Sequence, residues 1–308
     1  MFNFKQQTID TKVEFRGVGL HSGLISNVRL LPAKENTGII FKRVDLKENN
    51  IIKANYKNVT SAVLCTTLEN KHGKKVSTVE HLLAALFIKG IDNILVEIDN
   101  EEVPIMDGSS KIFLQVLEGA KIKTLNAKKK YLRVTDEFTF KSNDKKISIK
   151  PYDSFQVRFE LSFQNKIIGS QNNKVDFGKD SIEDVVSSRT FCLYEDIEKI
   201  KKLGLAKGGS LENAIVVQDN KILNEGGLRN SKEFANHKIL DLVGDFALSG
   251  YNFLGEINCI KGGHNFSNHF LRELLDKNGD KFEVIEFEQS EDTAIYQKNY
   301  PSQVAVNG

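Results

Sequence analysis

Ser77-Thr78-Val79-Glu80-His81-Leu82-Leu83-Ala84-Ala85-Leu86-Phe87-Ile88-Lys89-Gly90-Ile91-Asp92-Asn93-Ile94-Leu95-Val96-Glu97-Ile98 is the stretch on which the fold turns. Residues 78–89 read as a helix stopped by Gly90. Residues 93–98 follow as a strand rich in β-branched and apolar side chains. The same order returns in the second half of the chain. There, residues 232–249 form a long helix, Gly250-Tyr251-Asn252-Phe253 stands in the role of Gly90-Ile91-Asp92-Asn93, and a strand follows. In both halves a polar, glycine-containing loop and another helix come next. Counting back nine residues from Gly90 and from Gly250 lands on His81 and Asp241.

Outward from these units the chain is mostly strand. Residues 12–16 and 26–31 flank a Gly17-Val18-Gly19-Leu20-His21-Ser22-Gly23 turn and read as a hairpin. Residues 38–43, 131–134, 147–150, 156–163 and 214–217 are further strand candidates. Residues 110–118 read as a helix ending at Gly119, residues 181–187 as a short one, and residues 194–203 as one capped by Gly204. The polar, lysine-rich stretch 124–130 is the best candidate linker. Strands precede helices within each half, which fits α+β layers better than alternating βαβ units. A chain of 308 residues accommodates two ordinary domains. They are expected at 1–126 and 127–308.

Composition narrows the partners. Lys+Arg 43 against Asp+Glu 41 gives a net charge of +2, which is no argument for nucleic acid. Lysines cluster at 128–130 and 199–202. They make either a solvated surface or a weak attraction for phosphates or anionic lipid, such as the inner membrane surface. No apolar run approaches the roughly 20 residues of a membrane helix. Residues 1–7 lack the apolar stretch of a signal peptide, so a cytoplasmic protein is expected. Cys65, Cys192 and Cys259 are odd in number and widely spaced, unlike a disulfide framework or a CxxC zinc knuckle. They read as small buried apolar residues.

His237 and Asp241 are four apart and share one helical face. An imidazole and a carboxylate on that face make two-thirds of a catalytic zinc site. His81 can supply the third ligand, leaving one position for water. Glu80 has two readings. It closes a capping box with Ser77, or it is a base that takes a proton from water activated by the metal. Asp245, one turn beyond Asp241, is a helix-surface charge or the partner of a histidine. That histidine would be His264, in Lys261-Gly262-Gly263-His264-Asn265, held on a loop as an ordinary polar residue or as an acid for a leaving amine. His269 reads as structural, His72 as part of an exposed turn, and His21 as a candidate cleft wall.

These blocks resemble the UDP-3-O-acyl-N-acetylglucosamine deacetylase (LpxC) family, zinc amidases at the committed step of lipid A synthesis. The match runs in order through Gly17–Gly23, Ser77–His81, Pro104–Ser109, Ser188–Phe191, Leu223–Arg229, His237–Asp245 and Gly263-His264, nearly the whole chain. The resemblance implies Zn2+ on His81, His237 and Asp241, Glu80 as general base, and His264 as a charged histidine that stabilises an oxyanion and then acts as acid. It implies support of His264 by Asp245 and a hydrogen bond from Thr190 to the oxyanion. Lys238 and Lys261 would meet the nucleotide diphosphate, and Phe191 and Phe163 would pack on the substrate. The implied fold is two similar α+β domains, each a sheet layered with helices, packed helix to helix as a sandwich with the site at their junction. A βαβ insert near 193–223 would enclose the acyl chain. Its apolar stripe of Leu193, Ile197, Ile200 and Leu203 reads as core from pattern alone. The expected partners are an acylated UDP-N-acetylglucosamine and water, met by a monomer. The competing readings are a zinc amidase for another N-acyl sugar and a non-catalytic nucleotide-sugar or lipid-binding protein.

Overall fold

A computed structural model describes residues 4–287. The first three residues of the stretch searched for a leader, and the C-terminal tail from 288, lie outside the described residues. The first half runs β1 (Lys5–Ile9), β2 (Val13–Val18), β3 (Ile25–Pro32), β4 (Ile39–Arg43), β5 (Ile51–Lys53), β6 (Val59–Ser61), β7 (Thr67–Glu69), β8 (Lys75–Val76), α1 (Glu80–Lys89), β9 (Ile94–Ile98), α2 (Lys111–Glu118) and β10 (Ile122–Lys128). The second runs β11 (Lys130–Val134), β12 (Phe138–Ser142), β13 (Lys145–Lys150), β14 (Phe155–Ser162), β15 (Ser170–Asp176), α3 (Glu183–Val186), β16 (Phe191–Leu193), α4 (Tyr194–Lys202), β17 (Ile215–Gln218), β18 (Lys221–Ile222), α5 (Glu233–Ala247), β19 (Asn252–Ile260), α6 (His264–Lys277) and β20 (Phe282–Glu286).

The two halves repeat one topology. The first holds a sheet in the order β2-β3-β9-β4-β5. In the second, β12-β13-β19-β14-β15 are neighbours in the same order. The strand after the long helix takes the centre of each array. β9 is antiparallel to β3 and parallel to β4; β19 is antiparallel to β13 and parallel to β14. The outermost strands of each half close on one another, β1 with β10 and β11 with β20, both antiparallel. The additions also fall at one topological place, between the fifth strand of the array and the long helix. In the first half the addition is the β6-β7-β8 sheet; in the second it is α3 followed by the β16-β17-β18 sheet with α4. β16 runs parallel to β17, with α4 between them in the chain, which makes a βαβ unit.

α1 and α5 are apolar nearly all round rather than on one stripe. That pattern marks a helix covered on every side. Glu80–Leu86 of α1 and Phe234–Asn236, His237, and Ile239–Phe246 of α5 are buried. The two helices pack on each other. Gly244 makes the contact possible, because a Cβ there would overlap the Glu80 carbonyl oxygen. Gly244→Ala is therefore expected to destabilise the fold. The helix-propensity gain is about 1 kcal/mol, but overpacking against a backbone that cannot swing away costs about 1–3 kcal/mol. Denaturant unfolding of the variant checks this, and an unchanged midpoint would refute it.

One open reading is decided and two local expectations are corrected. The capping box does not form: α1 begins at Glu80 with no side-chain cap, Ser77 Oγ donates to the Glu101 carbonyl, and Glu80 is turned into the protein. The supposed linker 124–130 is mostly strand: residues 124–128 complete β10, with which β1 pairs from Lys5↔Lys128 to Ile9↔Ile122, and Lys130 opens β11. His264 is not on a loop but is the first residue of α6, just after an extended Gly263. The stop at Gly90 is as expected: its φ of 76° is left-handed and its N–H closes the last turn on Leu86 and Phe87 carbonyls.

Candidate active site

α1 and α5 meet where they carry their polar side chains. His81 sits on the first turn of α1, and His237 and Asp241 on successive turns of α5. Ligand atoms of these three buried residues lie within 4.8 Å of one another. The Asp241 Oδ1 atom is 3.4 Å from His81 Nε2 and 3.2 Å from His237 Nε2, yet it has no hydrogen-bond partner among the described residues. Two nitrogens and a carboxylate oxygen aimed at one small volume, with that oxygen unsatisfied, fit a divalent cation of the zinc type. Burial drives the His237 pKa down to about 3, so the ring is neutral, as a metal ligand must be. Its Nδ1 lies 3.1 Å from the Ser188 carbonyl. Donation there leaves Nε2 as the free lone pair facing Asp241.

Lys238 and the remaining groups set the charge. Burial opposes ionisation of Asp241, but the surrounding imidazoles and the Lys238 ammonium hold its carboxyl well below the usual range. Lys238 Nζ contacts Asp241 Oδ2 at 2.9 Å and lies 5.6 Å from the centre of the Phe191 ring. His264 Nε2 is 3.7 Å from Glu80 Oε1, and its Nδ1 is 3.0 Å from Asp245 Oδ2. Burial disfavours the charged ring of His264, but Asp245, Glu80 and Asp241 outweigh it and raise its pKa to about 10. It is thus a cation at neutral pH. Burial pushes the Glu80 carboxyl upward, against the pull of His264 and His81. A carboxylate of raised basicity beside an imidazolium is an acid–base pair.

Phe191, its ring centre 6.2 Å from that of His237, links this cluster to a cavity. The cavity has a volume of about 360 Å3, and Leu20, Ile197, Ile200, Val216 and Leu223 line it with Thr190 and Phe191. Ile197 and Ile200 of the expected stripe face it; Leu203 is exposed instead. Phe163 stacks edge-on against Phe191 at 5.7 Å. His21 is a lining residue as expected. Both its ring nitrogens are buried without partners among the described residues, and burial lowers its pKa. Lys261 is engaged elsewhere, its Nζ 2.9 Å from Asp144 Oδ2. His72 and His269 are exposed.

Two participants escaped the sequence reading. Glu233, wholly buried, accepts from Arg189 Nε at 2.8 Å and from the Arg189 and Arg229 backbone N–H groups. It clamps the turn holding Ser188 and Thr190 onto α5. Its spacing of four from His237 on one helix was the available signal. Thr66 donates its N–H to Glu80 Oε2 at 3.0 Å and its hydroxyl to Asp245 Oδ1 at 2.7 Å. Nothing in its local sequence marks it.

An α+β frame that buries two imidazoles and a carboxylate around one point, next to a carboxylate–imidazolium pair, has the parts of a metal-dependent hydrolase. A family model described as UDP-3-O-acyl N-acetylglycosamine deacetylase (LpxC) matches residues 6–276. Similar proteins include three named UDP-3-O-acyl-N-acetylglucosamine deacetylase. That of Histophilus somni is 42% identical, over 94% of this chain and 95% of the relative. That of Aliivibrio fischeri is 42% identical, over 95% and 97%. That of Haemophilus influenzae is 41% identical, over 93% and 95%. The chain belongs to the LpxC family of UDP-3-O-acyl-N-acetylglucosamine deacetylases.

Proposed function

We infer that this protein removes the acetyl group from the 2-amino position of a UDP-3-O-(3-hydroxyacyl)-N-acetylglucosamine, in lipid A synthesis, releasing acetate and the free amine. Family membership supports the reaction. The observation that supports this set of residues is the convergence of His81, His237 and Asp241 beside the Glu80–His264 pair. His81, His237 and Asp241 would hold zinc, which when bound supplies Lewis acidity and lowers the pKa of water to about 7. Glu80 takes a proton from the attacking water. His264, held charged by Asp245, faces the negative charge that develops on the carbonyl oxygen, with Thr190 as a second donor. It then passes its Nε2 proton to the departing amine, and the proton on Glu80 restores the pair. Lys238 meets the diphosphate by charge pairing, Lys261 does so on leaving Asp144, and Phe191 and Phe163 form a wall for the sugar.

The two repeated halves are read as domains at 1–126 and 127–308 that meet through α1 and α5 as a helix-to-helix sandwich, with the site at the junction. The protein is proposed to work in the cytoplasm as a monomer. The acyl chain occupies the cavity beside α4. Each buried methylene is worth about 0.8 kcal/mol, so three of them change kcat/KM by roughly fiftyfold. Turnover of the 3-O-acylated substrate is therefore expected to exceed that of chain-free UDP-N-acetylglucosamine by at least that factor. Competing the two substrates in one assay tests it. Equal rates would favour an amidase for another N-acyl sugar, and no hydrolysis of either would favour a binding protein.

A further inference from the structure

Glu80, His264 and Asp245 come from three different helices, α1, α6 and α5, and no helix geometry alone keeps them in register. One residue joins them. Thr66 lies just before β7, the central strand of the small sheet inserted ahead of α1, and is 2% exposed. Its N–H donates to Glu80 Oε2 at 3.0 Å and its hydroxyl to Asp245 Oδ1 at 2.7 Å, while its carbonyl accepts from Val79 N at 3.4 Å, one residue before α1 begins. Asp245 Oδ2 meets His264 Nδ1 at 3.0 Å, and His264 Nε2 comes back to Glu80 Oε1 at 3.7 Å. The contacts close a ring: Thr66, Glu80, His264, Asp245 and Thr66 again.

We propose that Thr66 is a positioning residue for the deacetylation, its backbone N–H and hydroxyl together fixing the separation of base and acid. The proposal rests on the roles given above to Glu80 and His264. Glu80 turns one oxygen to the histidine and the other to Thr66, whereas both Asp245 oxygens lie near His264 Nδ1, at 3.2 and 3.0 Å, and Oδ1 also accepts from the Thr66 hydroxyl. Without the hydroxyl, Asp245 keeps only His264 as its side-chain partner among the described residues, and no side-chain bond ties that pair to the segment before β7. The imidazolium it aims would then lose its fixed distance from Glu80. Small misplacements of a reacting group are costly in rate, because the reacting atoms must already lie near their transition-state geometry. Substrate contacts do not run through Thr66, so binding is spared.

Thr66→Val removes the hydroxyl while keeping the shape and the N–H to Glu80. A hydrogen bond to a charged group has a measured worth that corresponds to about 10- to 100-fold. The variant is expected to lose kcat by that factor, with KM within about twofold and metal content unchanged. Thr66→Ser restores the donor and should return kcat to within about threefold of the parent. Should the valine variant not fold, Thr66→Cys keeps the volume with only a weak donor and carries the same expectation. The decisive measurement is a double-mutant cycle: placed in an Asp245→Asn background, Thr66→Val should cost little further, whereas a general structural effect would add in full. An unchanged kcat in Thr66→Val, or full additivity with Asp245→Asn, overturns the proposal. If Glu80→Gln also retains parental kcat, the reading of the site itself has failed. If Glu80→Gln is inactive and Thr66→Val is not impaired, Thr66 alone is excluded.

Discussion

Glu80→Gln is expected to lower kcat by about 100- to 10,000-fold, the range for loss of a general base, while the protein keeps its fold and its metal. Glutamine has nearly the shape of glutamate, and its carbonyl oxygen can still accept the Thr66 N–H now held at 3.0 Å from Glu80 Oε2. What it cannot do is take a proton. The native carboxylate is suited to that task because burial raises its basicity, against the lowering pull of His264 and His81. Glu80 is also one residue before His81 on α1 and is not one of the three converging ligand groups, so metal affinity should change little. Steady-state kinetics and elemental analysis on the same preparation separate the two effects. A glutamine variant within tenfold of the parent would sink the assignment of Glu80 as base. Metal lost together with activity would instead make Glu80 part of the cation site.

The repeat was legible because helix, glycine and strand follow one another in a short span in both halves, and local order is what sequence patterning reports. His81 and Asp241, each nine residues before its glycine, lie on helices that the structure packs together, one from each half. Strand pairing across the chain was not legible. The stretch 124–130 reads as linker because its lysines resemble a solvated segment, yet β1, more than a hundred residues earlier, supplies its hydrogen bonds. The Ser77–Glu80 cap failed for a related reason. A capping box satisfies two helix-end groups locally, but Thr66 and the Glu101 carbonyl offer alternative partners from distant segments. The same limit hid Thr66 and Glu233. Both act through contacts that local patterning does not report, Thr66 with no signal at all and Glu233 with only its spacing of four from His237. The cavity beside α4 was half legible in the apolar stripe: Ile197 and Ile200 face it, but helical periodicity alone could not tell a cavity wall from a core.

Loss of any one of the three converging ligand groups is expected to remove activity and most of the bound metal, with Asp241 the most sensitive. His237 is neutral in this environment, with a pKa of about 3, so of the three proposed ligands Asp241 would be the one that brings negative charge. Around it stand Lys238 at 2.9 Å and the charged His264 at 3.8 Å. With the carboxylate gone, a dication would enter a cavity carrying two fixed positive charges and no compensating anion among its ligands. The probe should be Asp241→Asn rather than Asp241→Ala. Stripping a buried ion pair of one partner destabilises by about 3–5 kcal/mol, and asparagine at least keeps an oxygen for Lys238. His81→Ala and His237→Ala remove a neutral donor each and should weaken metal binding less. Competition with a chromophoric chelator ranks the three affinities independently of turnover. Chelation of the parent should abolish hydrolysis, and added zinc should restore it. If all three variants hold metal at full stoichiometry, the cation lies elsewhere and Asp241 Oδ1 is left without the partner its position demands.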